Sequence, residues 1–389
     1  MNSKVTRVIS LIFLAVMLVI FIGTCVTEAW GFGYALFSGY KELLTDDSDV
    51  FDVVDAKVTM LTSATENNLF GRELLRQVNV RLQRLQGKQT IDMGTHKMAE
   101  LSCGGFYDLY TDVPDMSEAS ALAEFLNTLD MQAAFLYCHG GLYEEGLLSE
   151  ELELLDTNIE FADMLDKVFE EAGVTYVDTR TTYTGHGFTI GEALNKTDIH
   201  WKHRLALAAA QDIAAAVGLD SDRLDISLFA DECYTELLLG EFGQRIGISL
   251  TGLDDVHLLY PLYETYVSYE ELGTDVYREG SFLDATVYKD RLERNSDGYN
   301  IKAYYIYGDY LAQKHIHNDL AEDKTVLVFT DSYGSPVSVF LGLVARDVYA
   351  IDPRSTELSM EEWVEQAQPD IVIIAYSQQM LRNYEYVIM

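Results

Sequence analysis

The sequence predicts an α/β fold built on a central parallel sheet and preceded by a membrane-spanning helix. Three apolar runs near the C-terminus, TVLVFT, VYAID and DIVIIAY, alternate with helical segments (Thr325–Thr330, Val348–Asp352 and Asp370–Tyr376). Continuous apolar runs of this length are typical of strands buried on both faces of a parallel sheet. The nineteen residues Val8–Val26 carry no charge, and this run predicts the helix.

The uncharged segment determines the compartment that we expect. As a helix it is about 28 Å long, close to the roughly 30 Å core of a bilayer. Lys4 and Arg7 precede it and Glu28 follows it, so the positive-inside rule places everything after about residue 27 outside the membrane. An uncleaved anchor is the first interpretation. A signal peptide cleaved near Gly23 and a lipoprotein signal at Cys25 are alternatives, and both also export the chain.

The composition excludes several classes of protein. Lys and Arg total 27 against 63 Asp and Glu in 389 residues, which gives a net charge of −36. Nucleic acids and anionic lipid surfaces are bound by clustered basic side chains, so we expect neither as a partner. Four cysteines are too few for a disulfide scaffold, and no CxxC pair is present. Cys103, Cys138 and Cys233 are expected mostly to be small core residues.

The chain after the anchor or signal segment (1–27) divides into a juxtamembrane stretch and one large domain. Residues 28–60 are first aromatic and then acidic, and residues 61–389 contain no linker, repeat or low-complexity tract. The β-branched run Val174–Thr179 predicts a strand. Helical apolar spacing is found in three stretches: Glu73–Gln86, Asn158–Gly173 and His203–Gly218.

A serine follows the first of the C-terminal strands. TVLVFT-DSYGSP-VSVFLGLVAR has the order strand, tight turn, helix, which puts Ser332 at the carboxyl end of a strand, where open α/β sheets bind ligands. Gly334 permits a tight backbone, and Pro336 suits the first helical position. The Ser332 hydroxyl could then be a nucleophile at the positive end of a helix dipole, with backbone N–H groups available for an oxyanion. A helix-capping serine is the alternative.

The tripeptide before the alanine-rich helix supplies what a nucleophilic serine needs. A serine hydroxyl requires a base to accept its proton, and the base requires a carboxylate that fixes its tautomer. In an extended segment, residues i and i+2 point the same way. One loop can therefore present both Asp198 and His200, with Trp201 packed to hold it. An exposed polar loop before a helix is the alternative.

A metal site is a further interpretation of the same side chains. Asp198, His200 and His203 could be ligands, completed by one of three other histidines, His186, His315 and His317. His203 falls in the first helical turn and no HExxH motif is present. We therefore expect no metal and no other cofactor.

Together the two motifs resemble the DHHW family, relatives of the alginate O-acetyltransferases with SGNH-hydrolase-like domains. The Asp-His-His-Trp signature appears as KTDIHW, ending at Trp201, with Ile199 in place of the first histidine. The serine block appears as TDSYG around Ser332. The resemblance implies an SGNH-like three-layer domain. Other similar blocks follow the family's order: Glu66–Leu75, Leu85–Lys88, Gly240–Pro261, Ile351–Arg354 and Gln368–Gln378.

The resemblance also implies a role for individual residues. Ser332 would be the nucleophile, His200 the base and Asp198 its orienting partner. The family's Gly-Gly-Asn block appears as YGD, so Gly308 and Asp309 would support the oxyanion. A carboxylate cannot donate a hydrogen bond unless it is protonated. The alternative is an oxyanion hole made of the backbone N–H groups of Ser332 and Gly308.

The activity implied by the resemblance is an extracytoplasmic O-acetyltransferase that modifies hydroxyls of a surface or secreted polysaccharide through an acyl-serine. Since acetyl-CoA is cytoplasmic, a multi-pass membrane-bound O-acyltransferase would be the acyl donor. Arg354 and Tyr376 lie near the ends of late strands and could line the acceptor site. Two alternatives stay open. One is a carbohydrate acetylesterase with the same three residues, and the other is a non-catalytic polysaccharide-binding scaffold of an export complex.

Overall fold

The computed structural model describes residues 72–93, 96–112, 115–141, 143–309 and 311–383, together with the helical residues 15, 18, 19, 22 and 23. The juxtamembrane segment 28–60 and most of the segment Val8–Val26 lie outside the described residues. Within the described ranges, no helix has both the length and the apolar character needed to cross a membrane. The membrane anchor therefore stays a prediction.

The chain divides into two units, Met1–Leu85 and Gln86–Met389. The first contains the helix Arg72–Leu85, which confirms the helix predicted at Glu73–Gln86. Val80 is completely buried in this helix, whereas Leu82 is half-exposed. The other large apolar side chains of this helix are exposed too: Leu74, Leu75, Val78 and Leu85.

The second unit contains all the described strands. The bounds of the strands are β1 Thr90–Met93, β2 His96–Glu100, β3 Phe106–Asp108, β4 Gln132–Cys138, β5 Thr175–Asp178, β6 Phe229–Leu238, β7 Asp254–Pro261, β8 Val267–Glu271, β9 Tyr277–Gly280, β10 Lys314–His317, β11 Glu322–Thr330, β12 Ala345–Ile351 and β13 Ile371–Ser377. These strands form a three-stranded sheet in the order β1-β2-β3, an eight-stranded sheet in the order β5-β4-β13-β11-β12-β10-β8-β9, and the pair β6-β7.

The large sheet is mixed rather than wholly parallel. Strands β5, β4, β13, β11 and β12 are parallel neighbours, which confirms the parallel centre predicted from the three C-terminal runs. Strands β10, β8 and β9 extend it in antiparallel pairing. The sequence did not predict these antiparallel strands at the edge of the sheet. A short turn suffices to join β8 to β9, whereas a parallel pair needs a long crossover.

The helices predicted at Asn158–Gly173 and His203–Gly218 are present. The helix Asn158–Ala172 ends at Gly173, whose φ of 68° is the left-handed conformation that glycine adopts readily. The bounds of the helices in the second unit are Ser117–Thr128, Glu150–Glu153, Asn158–Ala172, Thr179–Gly185, Ile190–Ala193, His203–Ala216, Glu241–Ile246, Ile248–Thr251, Phe282–Thr286, Ser335–Leu341, Met360–Ala367 and Gln378–Asn383, with 3₁₀ turns at Ser221–Leu224, Ile226–Leu228, Lys289–Leu292, Ala303–Tyr305 and Pro353–Ser355.

Helices cover both faces of the sheet, so the second unit has three layers. Because side chains alternate along a strand, Val328 of β11 belongs to one core and Phe329 to the other. The first core includes the helices His203–Ala216 and Ser335–Leu341, and the second includes Ser117–Thr128, Asn158–Ala172 and Met360–Ala367. Each fully buried side chain of this kind contributes about 1.5–3 kcal/mol. The packed sheet therefore holds the ends of the loops at its carboxyl edge in place.

Only one of the three described cysteines behaves as expected. Cys138 ends β4 and is completely buried, like a small core residue. Cys103 and Cys233 are exposed free thiols, so the expectation is wrong for both. Cys233 lies in the middle of β6, a strand of the two-stranded sheet whose central residues face solvent.

Candidate active site

Ser332 lies two residues beyond β11, in the turn that leads to the helix Ser335–Leu341. Asp331 organises this turn, because its carboxylate accepts hydrogen bonds from the N–H groups of Tyr333 and Ser377, each at 2.9 Å. The second bond ties the turn to the end of β13. The half-buried Ser332 therefore sits at the carboxyl edge of the sheet, as the strand-turn-helix pattern predicts.

Gly334 is required in this turn because there is no room for a Cβ atom, and not because its φ is unusual. At Gly334, a Cβ atom would lie 2.4 Å from Thr330 Oγ1 and 2.6 Å from the carbonyl oxygen of Ala375. Its φ of −76° is open to any residue. Pro336 takes the second helical position, because the helix begins at Ser335.

His200 joins Ser332 and Asp198 in one hydrogen-bonded chain. Its Nε2 lies 2.8 Å from Ser332 Oγ, although 132 residues separate the two in sequence, and its Nδ1 lies 2.5 Å from Asp198 Oδ1. His200 is 3% exposed and Asp198 is 7% exposed. A carboxylate can only accept, so Nδ1 carries the proton of the neutral ring and Nε2 is left to accept one from Ser332. The structure thus brings together the three residues that the two motifs identified.

The carboxylate of Asp198 is held on both oxygens. Oδ1 also accepts from the His200 N–H at 3.0 Å, and Oδ2 accepts from the Glu241 N–H at 2.9 Å. Burial alone raises the pKa of Asp198, but the charge and hydrogen bonds of His200, with the Glu241 amide, outweigh burial and lower it. Asp198 is therefore ionised at neutral pH. Gly240 makes this approach possible, since a Cβ atom there would lie 2.3 Å from the Asp198 Cβ.

A second buried carboxylate fixes the loop that carries Asp198. Asp254 accepts three hydrogen bonds at 2.7 Å, from the N–H of Lys196 and from the N–H and hydroxyl of Thr197. Burial raises the pKa of Asp254 despite these bonds. No motif in the sequence marks Asp254 as part of the site. Its only signal was its place in the block Gly240–Pro261.

Aromatic rings enclose the imidazole. The Tyr304 ring stacks on His200 with centroids 4.1 Å apart, and the Tyr333 ring is tilted against it at 4.8 Å. The Tyr333 hydroxyl donates to the carbonyl of Ile199. Trp201 is completely buried and meets Tyr333 edge-on at 6.0 Å, so it packs behind the loop as predicted. The stacking of Tyr304 had no signal in the sequence.

The residues expected to support an oxyanion are engaged elsewhere. The Gly308 N–H donates to the carbonyl of Tyr305 at 3.1 Å, so it is not available without opening its own turn. Asp309 Oδ1 accepts a 3.4 Å bond from the Leu311 N–H. By contrast, the Ser332 N–H makes no hydrogen bond within the described residues. Of the two backbone donors that were considered, only that of Ser332 is available.

The two residues expected to line an acceptor site differ in exposure. Tyr376 has no exposed surface, because its position on β13 points it into the second core. The expectation is therefore wrong for Tyr376. The Arg354 guanidinium is paired with the buried Asp352 through bonds of 2.8 and 2.5 Å. This pairing fixes the turn after β12.

The histidines considered as metal ligands do not converge. The two ring nitrogens of His203 face the carbonyl oxygens of Tyr304 at 2.9 Å and His257 at 3.2 Å, and burial lowers the pKa of His203 to about 4. Among the described residues, no group of three or more His, Cys, Asp or Glu could hold a metal ion. The other histidines bind aspartates elsewhere: His186 with Asp212, and His315 and His317 with Asp347.

The fold is shared with solved structures. A DHHW family protein from Eubacterium siraeum is similar with a TM-score of 0.60 and 14% identity, over 77% of this chain and 96% of the other. This chain has the fold of a DHHW family protein. The resemblance predicted from the sequence motifs is thereby confirmed at the level of fold.

Two further solved structures were compared, one with the same TM-score and one with a lower TM-score. Bacillus cereus PatB1 with a sulfonyl adduct matches with a TM-score of 0.60 and 15% identity, over 77% of this chain and 99% of the other. The O-acetyltransferase domain of Pseudomonas putida AlgJ has a TM-score of 0.43 and 14% identity, over 74% and 92% of the two chains. No protein-family model and no curated protein matches the sequence.

Proposed function

We propose that this chain is a serine-dependent O-acetyltransferase that acts outside the membrane on hydroxyl groups of a surface or secreted polysaccharide. The observation that carries the proposal is the buried hydrogen-bonded chain from Asp198 through His200 to Ser332. This is the arrangement that activates a serine hydroxyl for acyl transfer. The DHHW-like fold supports the same proposal.

In the first half-reaction, Ser332 Oγ attacks the carbonyl carbon of an acetyl ester. Its proton passes to His200 Nε2 across the 2.8 Å contact, and Asp198 stabilises the resulting imidazolium. The Ser332 N–H stabilises the developing oxyanion. When the tetrahedral intermediate collapses, the leaving alkoxide takes the proton from His200, and acetyl-Ser332 remains.

The second half-reaction runs the same steps with a sugar hydroxyl. His200 Nε2 accepts the hydroxyl proton while the sugar oxygen attacks the acetyl carbon, and Ser332 Oγ then leaves and takes the proton from His200. The acetyl group ends as an ester on the sugar. This chemistry needs no metal or other cofactor in this chain, because the acyl group is carried by Ser332.

The proposed location is the outer side of a membrane, with Val8–Val26 as the anchor. A multi-pass membrane-bound O-acyltransferase would then supply acetyl groups from the cytoplasmic side. Protease added to intact cells should cleave the chain after Glu28. Cleavage only after lysis would contradict an outside location.

Trapping of the acyl-enzyme tests the proposed activity. p-Nitrophenyl acetate should give a burst of p-nitrophenol and an acetyl group that peptide mass spectrometry locates on Ser332. A sulfonyl fluoride should block this burst, since PatB1 is known with a sulfonyl adduct. An oligosaccharide added to the acyl-enzyme should become acetylated.

The same experiment separates the alternatives. Release of acetate to water without an acetylated sugar would identify an esterase. If neither the burst nor the acyl-serine forms in folded wild-type protein, the catalytic proposal fails and a binding scaffold is the better account.

A further inference from the structure

Lys314 is a buried cation that the proposed mechanism does not use. It is the first residue of β10, and only 1% of its surface is exposed. Its ammonium donates a hydrogen bond to Ser335 Oγ at 2.5 Å, and it forms no ion pair with any residue that the structure describes. Burial of a charge without an opposite charge beside it is unfavourable, so a cation in this setting is a candidate for a functional role.

The ammonium reaches the turn that carries Ser332. Ser335 is the first residue of the helix Ser335–Leu341, and its N–H donates to the Asp331 carbonyl at 3.0 Å. This bond closes one turn of backbone, in which Ser332 and Ser335 are three residues apart. Since side chains three residues apart on a helical turn are neighbours, the Lys314 ammonium lies roughly 8–10 Å from the Ser332 hydroxyl.

The aliphatic stem of Lys314 packs on a second segment of the site. A Cβ atom on Gly308 would lie 3.2 Å from Lys314 Cε and 2.2 Å from the Tyr269 hydroxyl oxygen. The φ of Gly308 is 103°, a conformation that favours glycine. Gly308 therefore lets the backbone come close to the lysine. Lys314 thus lies between the Gly308 turn and the Ser332 turn, the two segments expected to surround an oxyanion.

Charged groups from four neighbouring elements act on the ammonium. They are three carboxylates and one guanidinium: Glu271 in β8, Asp309 in the Gly308 turn, Asp352 after β12, and Arg291 in the 3₁₀ turn Lys289–Leu292. The carboxylates raise the pKa of Lys314 and the guanidinium lowers it, but burial is the largest effect and lowers the pKa to about 8. Lys314 is therefore charged at neutral pH and loses its charge in mildly alkaline solution.

We infer that Lys314 is a positioning residue for acyl transfer: its ammonium holds the turn of Ser332 through Ser335, and its positive charge stabilises the oxyanion that forms when Ser332 attacks. The inference rests on the proposed function and adds a residue to the same site. It supplements the Ser332 N–H, which was the one backbone donor available of the two considered. A unit charge roughly 8–10 Å from the oxyanion, at an effective dielectric constant of about 20, changes the rate by about 10- to 30-fold.

The test is the pH profile of acetyl-Ser332 formation in the full-length protein, measured from the p-nitrophenol burst between about pH 6 and 10. The wild-type rate should fall as pH rises through about 8, because Lys314 loses its charge. Lys314→Met should be slower at pH 7 by about tenfold or more and should show no alkaline fall. Lys324→Met is the matched control, because it removes an exposed lysine near the start of β11, at the end of the strand far from Ser332. It should keep both the rate and the fall.

Ser335→Ala separates the charge from a merely structural role, and it decides the question if Lys314→Met does not fold. It removes the hydrogen bond that favours the charged ammonium, so the alkaline fall should move to lower pH. The inference is overturned if wild type shows no alkaline fall, or if Ser335→Ala leaves its midpoint unchanged. It is also overturned if folded Lys314→Met keeps the fall, or is slowed no more than Lys324→Met. Failure to form acetyl-Ser332 at every pH would instead reject the proposed function.

Discussion

The Tyr304 ring lies face to face with the His200 imidazole, with centroids 4.1 Å apart and planes 15° from parallel. The His203 ring is also stacked with Tyr304, with centroids 5.1 Å apart. The stack sets the plane of the imidazole and excludes water from one of its faces. An aromatic face also stabilises the imidazolium that forms when His200 takes a proton.

We predict that Tyr304→Phe retains the rate of Ser332 acetylation, whereas Tyr304→Ala loses much of it. The buried Tyr304 hydroxyl has no hydrogen-bond partner among the residues that the structure describes, so its removal should leave the melting temperature unchanged or raise it. The alanine variant should lose about 3–5 kcal/mol of unfolding free energy, because removal of the buried ring leaves a cavity. Burst kinetics and thermal unfolding check both variants. A phenylalanine variant as slow as the alanine one would assign the hydroxyl a role that the structure does not show.

Ser332→Ala and His200→Ala should each abolish acyl-enzyme formation, and the double variant should be little worse than either. The residues act as one unit, so their effects are far from additive. The burst with p-nitrophenyl acetate measures the loss, and melting temperatures show whether the fold is retained. Wild-type transfer by a folded Ser332→Ala protein would make Ser332 a capping residue.

Asp198→Asn should keep the shape of the site but slow acylation by up to about 10⁴-fold, because the amide favours the wrong imidazole tautomer. The low pKa of Asp198 also predicts a stability effect. A carboxyl group whose pKa is lower in the folded state stabilises above its unfolded pKa, and this stabilisation is lost as pH falls through the folded pKa. Wild type should therefore lose stability relative to Asp198→Asn below about pH 4. Parallel pH profiles of the two unfolding free energies would contradict this assignment.

Gly240→Ala should impair catalysis by displacing Asp198, since the new Cβ atom would collide with the Asp198 side chain and backbone. We expect a lower melting temperature and slower acylation together. Gly191→Ala is the control, because Gly191 is helical and a Cβ atom there has open space. It should be neutral or slightly stabilising. Normal acylation by Gly240→Ala would show that the Asp198 loop tolerates displacement.

Lys314 is buried in β10, with its Nζ 2.5 Å from Ser335 Oγ, and burial lowers its pKa from 10.5 to about 8. Between pH 8 and 10.5, Lys314 is protonated in the unfolded chain but has lost its proton in the folded chain. The free energy of unfolding therefore rises with pH in this range. Wild type should therefore gain up to about 3 kcal/mol relative to Lys314→Met from pH 8 to 10.5. Denaturant unfolding at several pH values measures this difference. A constant difference would mean that the buried ammonium keeps its proton in the folded protein.

Local patterns in the sequence were sufficient for several of the elements and for the central residues of the site. The continuous apolar runs predicted β11, β12 and β13, and the helical spacing predicted Asn158–Ala172 and His203–Ala216. The order strand, turn, helix placed Ser332 at the carboxyl edge. Asp198 and His200 do meet, but across a bend closed by the bond from the His200 N–H to Asp198 Oδ1 rather than along the predicted extended segment. These features depend on residues that are close in the chain, so the sequence shows them directly.

Tertiary packing decided everything that joins distant segments. The three bonds of Asp254 to the Asp198 loop, the stack of Tyr304 on His200 and the antiparallel edge of the sheet have no local pattern. The same holds for Tyr376, whose burial depends on which helices cover its face of the sheet. Strand order and helix placement result from the burial of apolar surface over the whole domain, and this burial is non-directional. Sequence spacing alone therefore identified the groups that could react, while packing determined which of them meet.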